Sequence, residues 1–398
     1  MKQLITKIIP LFAFLLTGAT PIAQAQTFEE YRKQQEEAFN NFKEENTRAY
    51  QEFAKLEKEG IERLKKELET YWGTHETRLS TQKEWVDYSE DMQSRSDVDF
   101  EGGIAKVEVL LEPEETGNTG TVREKVQSAV QNMIFNTCTT YDYGKDEKSG
   151  EGLLGEPVLE GQLVTLSGQP VSVKNADIFL EEVSAAENIS YQEIEGADGQ
   201  KRIKAQVTIN LIPEHVQVRA MKFSEPVSLQ ASRFEMPRAL IFAIIDTESS
   251  FNPMARSPVP AYGLMQIVPR FAGREAYHHL YRCDTLLSSD YLYNPRNNIE
   301  LGTAYLDKLM NHYLKDIVDV QCRLLCSVAA YNTGTGNLYK AFRDAPAKKD
   351  VVAQINSMNY QQLLEFLHAN LPYEETRNYV IKVDHKMKQY SHWHQNKE

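Results

Sequence analysis

The 398-residue sequence has only four cysteines, no block of basic residues and no long low-complexity segment, and it shows no convincing internal repeat. Each shortage excludes something. Lys plus Arg number 44 against 57 Asp plus Glu, a formal net charge of −13, so a nucleic-acid backbone would be repelled and no nucleic-acid partner is expected. With four cysteines, a disulfide-dense scaffold is excluded. The hydrophobic fraction of 41% argues against disorder throughout, and the length allows two domains that each bury a core.

The first residues carry the pattern of a cleavable leader. Lys2 and Lys7 form a positive end, Ile8 to Ala19 an apolar stretch, and Ala23-Gln24-Ala25 a small-x-small cleavage site. The stretch is shorter than the roughly 20 residues that span a bilayer. Export to the periplasm or cell envelope is expected, with residues 1–25 removed near Ala25. A lipid anchor at that junction would need a cysteine there, and the first cysteine is Cys138, so the mature chain is expected to be soluble. Oxidised thiols are common outside the cytosol, and Cys283 with Cys322 or Cys326 is the expected pair. A metal site is the alternative, because His279 and Cys283 are four apart, as are Cys322 and Cys326.

From Phe28 to Trp72 the chain is highly charged and almost free of Pro and Gly, with apolar residues at Phe28, Tyr31, Phe39, Phe42, Ala49, Phe53, Leu56, Leu64, Leu68 and Tyr71. Spacings of three and four predict one long amphipathic helix, or two broken near Gly60. It would cover the N-terminal domain, or serve self-association or envelope-protein partners; the oligomeric state is not legible. Beyond Ser94 the period becomes two. Val98 and Phe100, then Ala105, Val107, Val109 and Leu111, alternate with a phase flip at Gly102-Gly103 that reads as a bulge. A helix is expected around Val122 to Phe135, then a polar glycine-rich loop to Gly155. Strands are expected at Leu163 to Leu166, Val171 to Val173 and, most clearly, from Ile203 to Leu211. Pro213 to Pro226 reads as a domain junction, after which the pattern is helical, with Pro237 opening a helix through Leu240, Ile244 and Ile245. The fold class is therefore an α+β N-terminal domain with a long amphipathic helix, followed by a mostly α C-terminal domain. The expected segments are a leader at 1–25, a charged helical segment at 26–94, an α+β domain at 95–222 and the helical domain at 223–398.

The chemistry concentrates in that last segment. Glu248 stands at the end of an apolar helix that Asn252-Pro253 would stop. Flanked by Ile244, Ile245 and Phe251, its carboxyl loses water, which raises its pKa toward the range of a proton donor at neutral pH. Most glutamates near helix ends are plain solvated charges, so the surrounding pattern has to carry the weight. That pattern runs Glu248-Ser249-Ser250-Phe251-Asn252-Pro253, then Ala255, Ser257 and Ala261-Tyr262-Gly263-Leu264-Met265-Gln266. Ala330-Tyr331-Asn332-Thr333-Gly334-Thr335-Gly336 and Leu371-Pro372-Tyr373-Glu374-Glu375-Thr376-Arg377-Asn378-Tyr379-Val380 follow.

These three elements, in this order over about 160 residues, resemble the signatures of the lysozyme-like lytic transglycosylases. More loosely, the stretch from Ser94 to Leu111 is similar to the N-terminal half of membrane-bound members of that family. The resemblance implies a lysozyme-like C-terminal fold, peptidoglycan glycan strands as substrate, and neither cofactor nor metal. It implies Glu248 as the single catalytic acid and base. Ser257 would bond near Glu248 or the substrate acetamido group, with a turn residue before Pro258 as the alternative; Met265 and Gln266 would line the groove, with buried core as the alternative for Met265. Tyr331 and Asn332 would face Glu248 across the cleft. Tyr379 would add a third wall, helped by Glu375. Glycines 263, 334 and 336 would permit close backbone approach. Thr333 departs from the family's usual Ala or Gly and would alter groove width. Two rival readings remain: a goose-type lysozyme-like hydrolase on the same scaffold, and a non-catalytic peptidoglycan-binding scaffold protein.

Overall fold

The computed structural model describes residues 28–137, 140–142, 147–149, 155–391 and 393. The expected leader, Cys138 and most of the glycine-rich stretch before Gly155 lie outside them. The chain divides into two compact units at Ala49 and Tyr50. Helix α1 is one unbroken element, Phe28–Trp72, and runs through Gly60. The second unit holds everything from Tyr50 onward.

Five antiparallel strands form its sheet: β1 (Glu84–Tyr88), β2 (Ser94–Asp99), β3 (Ile104–Leu111), β6 (Ser190–Glu195) and β7 (Lys201–Asn210), in the order β1-β2-β3-β7-β6. A short hairpin, β4 (Thr140–Asp142) with β5 (Glu147–Ser149), stands apart. Side chains alternate across a strand, and the two sheet faces differ accordingly. Ala105, Val107, Val109 and Leu111 of β3, with Ala205, Val207 and Ile209 of β7, share the main core with α2 (Thr119–Ile134). Asn118 caps α2 by accepting from the amides of Gly120 and Thr121. Helix α3 (Ala176–Val183) packs on α2.

The opposite face carries Arg95, Glu108 and Lys204, all buried. Arg95 Nε donates to Glu108 at 2.7 Å, Lys204 lies 3.2 Å from Glu108, and Lys204 also binds Glu76 at 2.5 Å. Trp72, at the end of α1, lies under the Arg95 guanidinium at 4.3 Å.

Three expectations are corrected here. Gly102 and Gly103 are not a bulge: Asp99 pairs with Ile104, so they sit in the hairpin turn between two separate strands, and the phase flip marks a change of strand. The strands expected at Leu163 to Leu166 and Val171 to Val173 reduce to one isolated bridge, Val164 with Pro170, leaving Leu166 and Val173 exposed. Strands β1 and β6 carry no usable alternation and had no expected counterpart.

The stretch read as a junction is built as helices, α4 (His215–Lys222) and α5 (Ser224–Arg233). Then come α6 (Arg238–Ser249), α7 (Arg274–Tyr281), α8 (Ser289–Tyr293), α9 (Pro295–Lys308), α10 (Val320–Thr333), α11 (Thr335–Lys340), α12 (Lys348–Asn356), α13 (Tyr360–Asn370) and α14 (Glu374–Ser391). Helix α6 is buried from Ala239 through Asp246, the pattern of a helix enclosed on every side, with α14 and α5 packed against it. The helical C-terminal region and the sheet region agree with the expected fold class. No described helix is long and apolar enough to cross a membrane.

Candidate active site

Glu248 occupies the last turn of α6. The helix stops before Asn252-Pro253 can stop it: Ser250 (φ 49°) and Phe251 (φ 60°) turn left-handed in succession, a conformation costly for residues with a Cβ. Tertiary contacts hold it there. Phe251 is fully buried and lies against Phe223, Phe242 and Tyr390. The Ser250 carbonyl accepts Arg219 Nε at 3.1 Å. The buried Arg219 guanidinium also donates to Gln162 Oε1 (2.6 Å) and to the Phe100 carbonyl in the β2–β3 turn (2.5 Å). Burial pushes its pKa down to about 10. One arginine thus ties the sheet region to the end of the Glu248 helix.

Glu248 is half-buried, and desolvation of its carboxyl pushes its pKa up to about 7. The Tyr379 hydroxyl, donating to Oε1 at 2.7 Å, opposes that rise. The negative charge of Glu375 adds to it and Lys83 subtracts from it. Tyr379, on α14, and Tyr331, on α10, both have pKa values pushed well up by burial and then by the Glu248 charge, so both phenols stay protonated donors. The Tyr331 hydroxyl is bound to the Met265 carbonyl at 2.7 Å. Asn332 Oδ1 accepts the Thr376 hydroxyl at 2.7 Å, which fastens the end of α10 to the start of α14. Glu375 is exposed.

The loop after α6 is bonded to α9 and α10. Gly263 has φ 72°, and a Cβ there would lie 2.5 Å from Asn298 Nδ2 and 2.6 Å from the Leu292 carbonyl; only glycine fits. Asn298, fully buried on α9, donates to the carbonyls of Tyr262 and Leu292 at 2.7 Å each and accepts the Met265 amide at 2.8 Å. Gln266 (φ 48°) is nearly buried, binds the Gly263 carbonyl through Nε2 at 3.0 Å, and has no partner for its buried Oε1.

Several expected placements change. The Met265 side chain is core and not groove, packed where a Cβ on Gly302 would strike it; its carbonyl accepts the Tyr331 hydroxyl. The Ser257 hydroxyl donates to the Val259 carbonyl and accepts the Ala261 amide at 3.2 Å, so its hydrogen bonds stay within its own turn. Nothing would meet a Cβ at Gly334 or Gly336. Thr333 is bound through its carbonyl and hydroxyl by Asn337.

Cys283, Cys322 and Cys326 are free thiols, the first exposed and the others buried on α10, so the expected disulfide does not form. Burial pushes Cys322 up to about 11. His279 binds Asp307 at 2.7 Å, and α7 ends before Cys283, which removes the shared helical face. Among the described residues no group of three or more His, Cys, Asp or Glu could hold a metal.

The helical region that carries Glu248 matches the Transglycosylase SLT domain model over residues 225–353, which defines the class: a lytic transglycosylase enzyme. Residues 50–222 match the model for the N-terminal domain of membrane-bound lytic murein transglycosylase C. The protein of that name from Photorhabdus laumondii is 31% identical over 328 residues, 82% of this chain and 87% of its own. That from Klebsiella pneumoniae is 32% identical over 332 residues, 81% and 86% respectively. The chain belongs to the membrane-bound lytic murein transglycosylase C family. Among solved structures, the 70 kDa soluble lytic transglycosylase of Escherichia coli aligns with a TM-score of 0.35 at 25% identity, over 46% of this chain and 26% of its own; the chain thus spans about a quarter of that protein.

Proposed function

We propose that the protein cleaves the β-1,4 bond between N-acetylmuramic acid and N-acetylglucosamine in peptidoglycan glycan strands, leaving 1,6-anhydro-N-acetylmuramic ends. The observation that carries this reading is the Glu248 carboxyl, held near neutrality at about 7 by desolvation and bound by a tyrosine hydroxyl. A group with that pKa is protonated often enough to donate and is basic enough to recover the proton.

Glu248 gives its proton to the bridging oxygen as the bond to the muramic anomeric carbon breaks, and N-acetylglucosamine leaves with a free 4-hydroxyl. The substrate acetamido group supports the positive charge that develops. The carboxylate then takes the proton of the muramic 6-hydroxyl, whose oxygen closes on the anomeric carbon. Glu248 ends protonated and no water is consumed, so the second carboxylate used by most glycosidases has no role. Tyr379 donates to the carboxylate form and steadies Glu248 in its basic phase. Gln266 Oε1, unpartnered in the structure, accepts from a sugar hydroxyl or N-acetyl amide. Tyr331 acts by holding the Met265 carbonyl in place, and Asn332, Glu375 and Ser257 shape the groove. The substrate puts the protein in the cell envelope, reached by export with removal of residues 1–25.

Mass spectrometry of purified sacculi after digestion tests the reading. Anhydromuramic ends are expected from the wild type, and Glu248→Gln should lose nearly all turnover while still binding glycan. Reducing ends would instead identify a hydrolase, and full activity in the variant would remove Glu248 from the chemistry.

A further inference from the structure

Glu57 lies on α1, 205 positions from Tyr262, and is 2% exposed. Its Oε2 accepts the Tyr262 hydroxyl and Arg256 Nη2 at 3.1 Å. These two partners are structural corners of the loop that follows Glu248. Arg256 pairs with Tyr262, and Tyr262 with Ile267, as β-bridges. The Tyr262 amide donates to the Ile267 carbonyl at 3.1 Å, and the Ile267 amide donates back to the Tyr262 carbonyl at 3.0 Å. Between these corners lie the Met265 carbonyl that anchors Tyr331 and the left-handed Gln266 with its open Oε1.

Apolar packing alone would leave such a loop free to rotate and slide, whereas a buried carboxylate reading one hydroxyl and one guanidinium fixes direction. Burying that charge is costly unless both donors stay in place. The cost makes the arrangement selective: the loop has one geometry in which Glu57 is satisfied. Burial, and then the Glu57 charge, keep the Tyr262 phenol protonated, so the donor is present at every working pH.

We propose that Glu57 is a positioning residue for glycan binding: through Tyr262 and Arg256 it sets the Tyr262–Ile267 turn and thereby the places of Gln266 and the Met265 carbonyl in the groove. By this account the long N-terminal helix positions the site through Glu57. The inference rests on the glycan-cleaving reading above.

The test uses the full chain with Glu57→Gln, Tyr262→Phe and the two combined, assayed on purified glycan strands. Each single variant should raise KM about tenfold with kcat within about twofold, the size of one lost charge-assisted hydrogen bond. The combination should be no worse than either alone, because one contact is removed twice. Unchanged KM, or a fall in kcat that merely follows the loss of thermal stability, would overturn the proposal. Binding is also read without turnover, by co-sedimentation of Glu248→Gln protein with sacculi, with and without Glu57→Gln. Roughly tenfold weaker retention of the double variant supports the role of Glu57, and equal retention ends it. Absence of anhydro product from the wild type, with retention still weakened, would sink the catalytic reading alone.

Discussion

Two glutamates in this chain are wired in opposite ways. Glu108, inside the charged face of the sheet, is gripped by Arg95 at 2.7 Å and neighboured by Lys204 at 3.2 Å. Glu248, at the end of α6, has a neutral tyrosine hydroxyl at 2.7 Å instead. A carboxylate held between two cations serves as a structural clamp. A carboxyl that burial keeps near neutrality, with a hydroxyl in place of a cation, remains able to exchange its proton. Residue type is the same in both; the partner sets whether the group is clamped by charge or left free to exchange a proton.

Three changes would break or sharpen that contrast. The largest effect is expected at the clamp. Arg95→Ala leaves Glu108 buried with only Lys204, and should destabilise the fold by about 3 kcal/mol in denaturant titration; a loss under about 1 kcal/mol would mean that the pair contributes no more than a surface contact. Second comes the reagent. The Glu248 pKa is raised from an ordinary 4.5 to about 7, so the favourable protonated form is complete below about pH 4 and is lost as pH rises through 7. Glu248→Gln removes that loss, and should be more stable than the wild type above pH 7 by up to about 3 kcal/mol, with the two converging in acid. Melting temperatures across pH 4 to 8 read this directly, and parallel curves would show that Glu248 is not destabilised by burial.

The smallest effect concerns Tyr379. Its hydrogen bond favours the carboxylate, so Tyr379→Phe should raise the Glu248 pKa further and move the alkaline limb of kcat/KM to higher pH, by an energy of about 1 kcal/mol. The wild-type limb should lie near the Glu248 pKa of about 7, with kcat/KM falling as pH rises through it. A limb that does not move would separate Tyr379 from the titrating group.

Legibility followed the range of the interactions. The uniform apolar face of α6, the alternation along β3 and β7 and the spacing of the amphipathic helix are local, and each showed in the order of residues. The hairpin at Gly102-Gly103 was mistaken for a bulge because alternation reports which face a residue takes and says nothing about which strand it belongs to. Leu163 to Leu166 had strand-like composition but no neighbouring strand to pair with beyond one bridge. Met265 stood in the right motif, yet its side chain went to the core and its carbonyl to the site, a division that no side-chain pattern encodes. Asn298, Arg219 and Glu57 carry no local signature at all. Their roles exist only because elements far apart in the chain meet.

What the amino-acid order determined by itself was the class of elements, since period and helix-stopping residues are properties of neighbours along the chain; Glu248, Tyr331 and Tyr379 were singled out by the family resemblance that the ordered motifs carry. What only the tertiary structure decided was the electrical state of those groups and the shape of the loop beside them. Desolvation of Glu248 depends on everything packed around α6, and the loop takes its form from a carboxylate on α1 and an amide on α9. A pKa and a cleft are sums over spatial neighbours, which the chain assembles only on folding.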